Sequence, residues 1–172
     1  MFQHPARLSI DKLLAECDIR RQRRGGPGGQ HRNKVETAVI IVHRPTRIEA
    51  EANERRSQAE NHAQAVARLR TKLAVAVRSP ANAQKNSDTS TSALWQQRCA
   101  GGRIAINTSH EDFPALLAEA LDAVAAADFD VSAAALRLSV SASQLARFLQ
   151  QEPTAWSLVN DSRRARGLRP LH

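Results

Sequence analysis

The chain has 172 residues, a formal net charge of +8 and 42% hydrophobic residues, enough for one ordinary domain or two small ones with modest cores. Cys17 and Cys99 stand far apart, without the paired spacing of a disulfide framework or a zinc site. No apolar run approaches the roughly 20 residues that span a bilayer, and Asp11, Glu16 and Asp18 are unlike a transit peptide, so the expected compartment is the cytoplasm, with no membrane partner.

Charge is distributed unevenly. Residues 1–78 hold 16 Lys+Arg against 8 Asp+Glu, and residues 79–172 hold 9 against 9, which places the expected nucleic-acid surface in the N-terminal part. Ser9 can cap a short helix running through Glu16, and Asp18 to Arg24 reads as an extended segment. Gly25-Gly26-Pro27-Gly28-Gly29-Gln30-His31 follows, with four of the seven glycines in five positions. From Ile19 to Lys34 the basic residues are Arg20, Arg21, Arg23, Arg24, Arg32 and Lys34, with no acid among them. A polyanion suits that concentration of charge, RNA in the first instance.

Asn33 to Thr37 is short and polar, whereas Ala38 to His43 is rich in β-branched residues and predicts a strand. Arg44 to Arg47 breaks it, and Ile48 to Ala52 alternates as a hairpin partner should. From Glu54 to about Val77, the recurrence of His62, Val66, Leu69, Leu73 and Ala76 predicts a helix whose apolar stripe covers the hairpin. The same spacing leaves Arg55, Arg68, Arg70 and Lys72 open to solvent or phosphate. Pro80 and the Asn, Ser and Thr-rich run after it predict a flexible linker over 79–93.

The remainder reads as helical. Asp112 caps a helix with Phe113, Leu116, Leu117, Ala120, Leu121 and Val124 on one face; Asp130 caps a second with Val131, Ala134 and Ala135 inward. Ser141 opens a third that buries Leu145, Phe148 and Leu149, and Pro153 a fourth that turns Trp156 and Val159 inward and ends at Gly167. The expected fold class is α+β: a small mixed α/β domain in the order β-α-β-β-α, then an all-α bundle. Its expected boundaries are a domain at 1–78, a linker and irregular connection at 79–111, and the bundle at 112–172. Val131 to Leu149 is helix-turn-helix-like, with Leu138-Ser139-Val140-Ser141 as the turn and Ser143, Gln144, Arg147 and Gln150 outward.

Gly28-Gly29-Gln30 with His31, Asn33 and Lys34, then Ala38 to Thr46, then Arg56-Ser57-Gln58 with Asn61 at the head of the long helix, resemble one family in order and spacing. It is the catalytic domain of class-I peptide-chain release factors and the related stalled-ribosome rescue hydrolases, and the resemblance runs from about Cys17 to Val77. It implies ribosome-dependent hydrolysis of the ester of peptidyl-tRNA, with Gly28, Gly29 and Gln30 catalytic. Glycines let the main chain approach the substrate, and an amide at Gln30 would stabilise the developing oxyanion, a donor of a kind worth about 3 to 4 kcal/mol of barrier. The glutamine side chain would shape the pocket for water.

The resemblance also implies RNA contacts. They fall to Arg20, Arg21, Arg23, Arg24, His31, Arg32, Asn33 and Lys34, and to Arg56, Ser57, Gln58 and Asn61, which either support the loop or touch RNA. The implied partners are the large ribosomal subunit with its peptidyl transferase centre, ribosomal RNA, P-site peptidyl-tRNA and a glutamine methyltransferase acting on Gln30. No cofactor or metal is implied, and His31 has a structural or RNA-facing role.

Stop-codon-reading relatives carry a codon-recognition domain before the catalytic one, whereas the resemblance here begins near Cys17; rescue hydrolases end in a long basic tail, whereas residues 110–130 hold six acids and no Lys or Arg. Codon-independent release of nascent peptide is therefore the expected activity. Two alternatives stay open: a non-catalytic ribosome- or RNA-binding factor, and a regulator acting through the helix-turn-helix. The neutral charge of residues 79–172 argues against DNA. Asn33 before Lys34 and His31 after Gln30 exclude the two glycine-rich nucleotide loops.

Overall fold

Ala38–His43 is the centre of a small antiparallel sheet in the computed structural model, which describes residues 3–22, 37–79 and 91–172. These residues divide into two units, Pro5–Leu73 and Ala74–His172 with Met1–His4. In the first, a short helix α1 (Ile10–Ala15) leads into β1 (Cys17–Gln22), β2 (Ala38–His43), β3 (Glu49–Ala52) and the long helix α2 (Gln58–Ala76). The described order is thus α-β-β-β-α. A helix between the first two strands would fall on residues 23–36, outside the described ones, as do Arg23 and Arg24 at the end of the expected first strand.

Strand order is β1-β2-β3, so β2 is the inner strand and buries Ala38, Val39, Ile41 and His43, whereas β1 is an edge on which only Cys17 is buried. Pairing sets Val39 against Ala52 and Ile41 against Ala50, which puts the buried alternate residues of both strands on one face. The β2–β3 connection is closed by Arg47 N–H to His43 O at 2.8 Å and His43 N–H to Ile48 O at 2.9 Å. Buried His43 ties this turn to the end of α1: its Nε2 donates to Glu16 Oε2 at 3.0 Å and its Nδ1 accepts from the Thr46 hydroxyl at 2.8 Å. Arg44 adds bonds to the carbonyls of Ala15 and Cys17.

Helix α2 starts at Gln58, four residues later than the sequence predicts, with Ser57 Oγ accepting from Glu60 N–H at 3.3 Å. Val66, Leu69 and Leu73 are buried as expected, but Ala76 is exposed and His62 half-buried; Asn61, Ala65 and Arg70 fill the inward face instead. Arg70 is therefore not open to solvent: its Nη2 donates to Ala6 O at 3.1 Å. Arg68 and Lys72 reach the Glu51 and Glu49 carbonyls at 2.7 and 2.9 Å, which lays α2 along β3. Long cationic side chains cover apolar surface with their stems while their heads find carbonyls, and a periodicity count cannot see that. Of the four cations expected off the packed face, Arg55 and Lys72 are exposed, and only Lys72 of these two has its ammonium on a carbonyl.

In the second unit, α3 (Ala93–Arg98) and a hairpin of β4 (Cys99–Ala100) and β5 (Arg103–Ile104) precede four helices: α4 (Phe113–Ala126), α5 (Val131–Arg137), α6 (Ala142–Gln150) and α7 (Pro153–Ala165). Residues 91–104, expected to be linker and irregular connection, thus form regular elements. Ser92 caps α3 and Trp95 is buried, donating from Nε1 to Leu138 O at 2.9 Å and meeting Phe148 edge-on. Residues 80–90 of the expected linker lie outside the described residues.

Every residue of α4 from Phe113 to Asp122 is buried, so this helix is enclosed all round and not on one face alone. Its two buried carboxylates are bonded. Glu119 accepts from Ser92 N–H at 2.8 Å and from its hydroxyl, and Asp122 from Arg78 Nη1 at 3.2 Å and Ser79 N–H at 3.1 Å. Asp112 does not cap α4 with its side chain; its carboxylate is taken by Arg98 at 2.8 Å. Asp130 and Ser141 cap α5 and α6 as expected, and Val159 is buried on α7, with Trp156 only half-buried. Among the described residues no helix is long and apolar enough to cross a membrane.

Candidate nucleic-acid interface

The ladder between β1 and β2 ends at the pair Gln22 and Ala38. The two flanks of the stretch that carries Gly28, Gly29 and Gln30 are therefore side by side at one end of the sheet. Arg23, Arg24, Gly28, Gly29, Gln30, His31, Arg32, Asn33 and Lys34 themselves lie outside the described residues. On the flank, Arg20 and Arg21 occupy consecutive positions of β1, opposite Ile40 and Val39, and so point to opposite faces of an edge strand. Both are exposed, without a hydrogen bond or ion pair among the described residues.

The head of α2 comes to the same end of the sheet through one side chain. Asn61 is fully buried, and its Nδ2 donates to Thr37 O at 2.7 Å and to Arg55 O at 2.9 Å, while its Oδ1 accepts from Arg55 N–H at 2.9 Å. Its amide is consumed by backbone. Through these bonds it locks Thr37, the residue before β2, onto the turn that starts α2. Nothing in the apolar periodicity of the helix marks an asparagine for the inward face, and only its place in the helix-start motif singled it out.

Arg56 is exposed and unpaired among the described residues, Ser57 is exposed and spends its hydroxyl as the helix cap, and Gln58 is half-buried. Helix α2 points its N-terminus, the positive end of its dipole, to the side where Thr37 and Arg55 meet. The described part of the site therefore gathers three unneutralised guanidinium groups, Arg20, Arg21 and Arg56, and a helix N-terminus about the base of the glycine-rich stretch. Such an array attracts phosphate. Farther along α2, Arg68 binds Glu54 at 2.7 Å, and this contact holds the Glu54 carboxyl below its usual range.

The two cysteines offer no reactive thiolate in place of this surface. Burial pushes the Cys17 thiol up, and Cys99 is pushed up to about 11, so both stay protonated and unreactive at neutral pH. Among the described residues no group of three His, Cys, Asp or Glu side chains is arranged to hold a metal.

The RF-1 domain matches residues 7–108, which reaches beyond the first unit to include α3 and the β4–β5 hairpin. The chain is 50% identical over 60 residues to peptide chain release factor PrfB1, chloroplastic, of Arabidopsis thaliana, covering 35% of this chain and 13% of that protein. It is 40% identical over 81 residues to peptide chain release factor 1 of Geobacter sulfurreducens, covering 47% and 23%, and 41% identical over 86 residues to that of Acidiphilium cryptum, covering 49% and 24%. The chain thus spans about a quarter or less of the length of these curated relatives. With more than half of its residues matched, and with the order of motifs from Gly28 to Asn61 intact, the chain belongs to the RF-1 domain family, the release-factor-like catalytic domain.

Proposed function

We propose that the protein is a ribosome-dependent peptidyl-tRNA hydrolase that releases nascent peptide without reading a codon. The observation that carries this reading is the Gly28-Gly29-Gln30 sequence inside an RF-1 domain, on a stretch whose flanks are locked together by the Gln22–Ala38 pair and the Asn61 clamp. The relatives' name, peptide chain release factor, supports the reaction.

In this mechanism Arg20, Arg21 and Arg56, with Arg23, Arg24, Arg32 and Lys34, steer the stretch along ribosomal RNA to the peptidyl transferase centre of the large subunit. There a main-chain N–H at Gln30 donates to the oxygen of the ester carbonyl as a water adds to its carbon. The C–O bond to the tRNA ribose then breaks, giving free peptide acid and deacylated tRNA. Gly28 and Gly29 keep side chains out of the way of that approach. Gln30 is the proposed target of a glutamine methyltransferase, and the site of action is the cytoplasm.

The test uses ribosomes stalled with labelled peptidyl-tRNA, with and without a stop codon in the decoding site, and large subunits bearing peptidyl-tRNA. Wild type should release peptide equally with either codon, and Gly29→Ala or Gln30→Pro should lower the rate at least 100-fold while ribosome binding persists. Absence of release from all three substrates would overturn the hydrolase; equal function of Gly29→Ala would favour a non-catalytic binding factor.

A further inference from the structure

Residues 79–172 are formally neutral, but part of their acidic charge is withdrawn from the surface of the unit. Glu119 and Asp122 are buried on α4 and Asp112 holds Arg98, whereas Asp130, which accepts from the Ser132 and Ala133 amides, stays exposed. The arginines collect elsewhere. Arg137 Nη1 on α5 donates to Ala126 O at 3.5 Å, Arg163 Nη1 on α7 donates to Phe129 O at 2.5 Å, and the Arg166 guanidinium lies 4.4 Å over the Phe129 ring. Arg163 Nε also donates to Arg169 O at 2.8 Å, so the chain beyond α7 turns back to the same place. Arg137, Arg164, Arg166 and Arg169 are all exposed. The acids beside them in sequence are Asp128, Asp130 and Asp161, and the last pairs with Arg164, which leaves cations in excess.

We propose that this arginine face, at the 126–129 turn, is a second RNA-binding surface that grips the phosphate backbone of folded RNA without reading its sequence. Naming ribosomal RNA as that RNA rests on the hydrolase reading above. The Arg137, Arg163 and Arg166 guanidinium groups, held by a ring or by backbone carbonyls, lose little freedom on meeting a phosphate, and the planar fork of every arginine here fits one. Phe129 is half-buried beneath Arg166, so no exposed ring is offered for base stacking. The outward face of α6 (Ser143, Gln144, Arg147 and Gln150) carries one cation, so the charge does not lie where a helix-turn-helix reads duplex DNA.

The test compares the full chain with an Arg137→Gln/Arg164→Gln/Arg169→Gln variant, which spares the two arginines on Phe129, and with the corresponding triple Lys variant. Binding to purified large ribosomal subunits, to protein-free large-subunit RNA and to duplex DNA is measured against salt, with thermal melts as the check on folding. For both RNA probes the Gln variant should bind roughly tenfold more weakly, with a log–log salt slope smaller by about 2, while the Lys variant keeps the wild-type slope and both melt as wild type. Unchanged affinity and slope in the Gln variant overturn the surface, as does a loss confined to duplex DNA. A wild type that releases peptide beside an unaffected Gln variant sinks only this surface; lost RNA affinity with no release by wild type sinks only the hydrolase.

Discussion

A buried asparagine amide brings two donors and an acceptor that burial would leave costly if unpaired, and Asn61 places all of them on backbone of Thr37 and Arg55. Asn61→Ala removes these bonds and strands two carbonyls and an N–H, so urea unfolding should show a loss of about 2 to 3 kcal/mol. Asn61→Asp should cost more at neutral pH, because a carboxylate would face the Thr37 and Arg55 oxygens. Under the proposed function, peptide release should fall in both variants, since the base of the glycine stretch loosens. Arg20 and Arg21 differ in kind: exposed on an edge strand, they leave stability within about 0.5 kcal/mol when replaced by Gln and are read only by RNA affinity.

At the scale of elements, the α5–α6 connection turns through Ser139 at φ 55°, in the left-handed region that an L side chain enters at a cost of about 1 kcal/mol or more. Leu138 and Val140 on either side are buried, so the turn cannot relax without exposing them. Ser139→Gly should therefore raise stability by about 0.5 to 1 kcal/mol, the relief of strain less the extra freedom of glycine in the unfolded chain, as measured by the denaturation midpoint. A lower midpoint would show that the serine hydroxyl, and not the backbone, decides this position. The strands behave differently, since β2 owes its place to a run of β-branched residues that suits an inner strand, and the register follows from burying one alternate set.

At the scale of the molecule, the second unit depends on residues that lie well before its four helices in sequence. Trp95 fills the space beside Phe148 and bonds the α5–α6 connection, and Ser92 satisfies the buried Glu119. A fragment of residues 112–172 lacks both and should keep helical far-UV circular dichroism while losing near-UV signal and cooperative melting, because a missing tryptophan alone removes about 3 to 5 kcal/mol. A fragment of 74–172, which also keeps Arg78 and Ser79 on the buried Asp122, should recover both. Equal cooperativity of the two fragments would show that the helices supply a sufficient core on their own.

Local chemistry by itself determined much of this protein. The β-branched run Ala38–His43, the apolar periods of the helices, the caps at Asp130 and Ser141 and the Gly-Gly-Gln sequence among arginines each act through neighbours within a turn or two, so they are legible along the chain. Tertiary structure alone decided which polar groups are spent. Asn61 and Arg70 turn inward because distant carbonyls at Thr37 and Ala6 need donors, and Glu119 and Asp122 are buried because Ser92, Arg78 and Ser79 reach them. A net charge counts these acids as surface; once they are paired inside, the arginines about Phe129 remain as an outward cationic face, since a buried polar group must find its partner wherever in the sequence that partner lies.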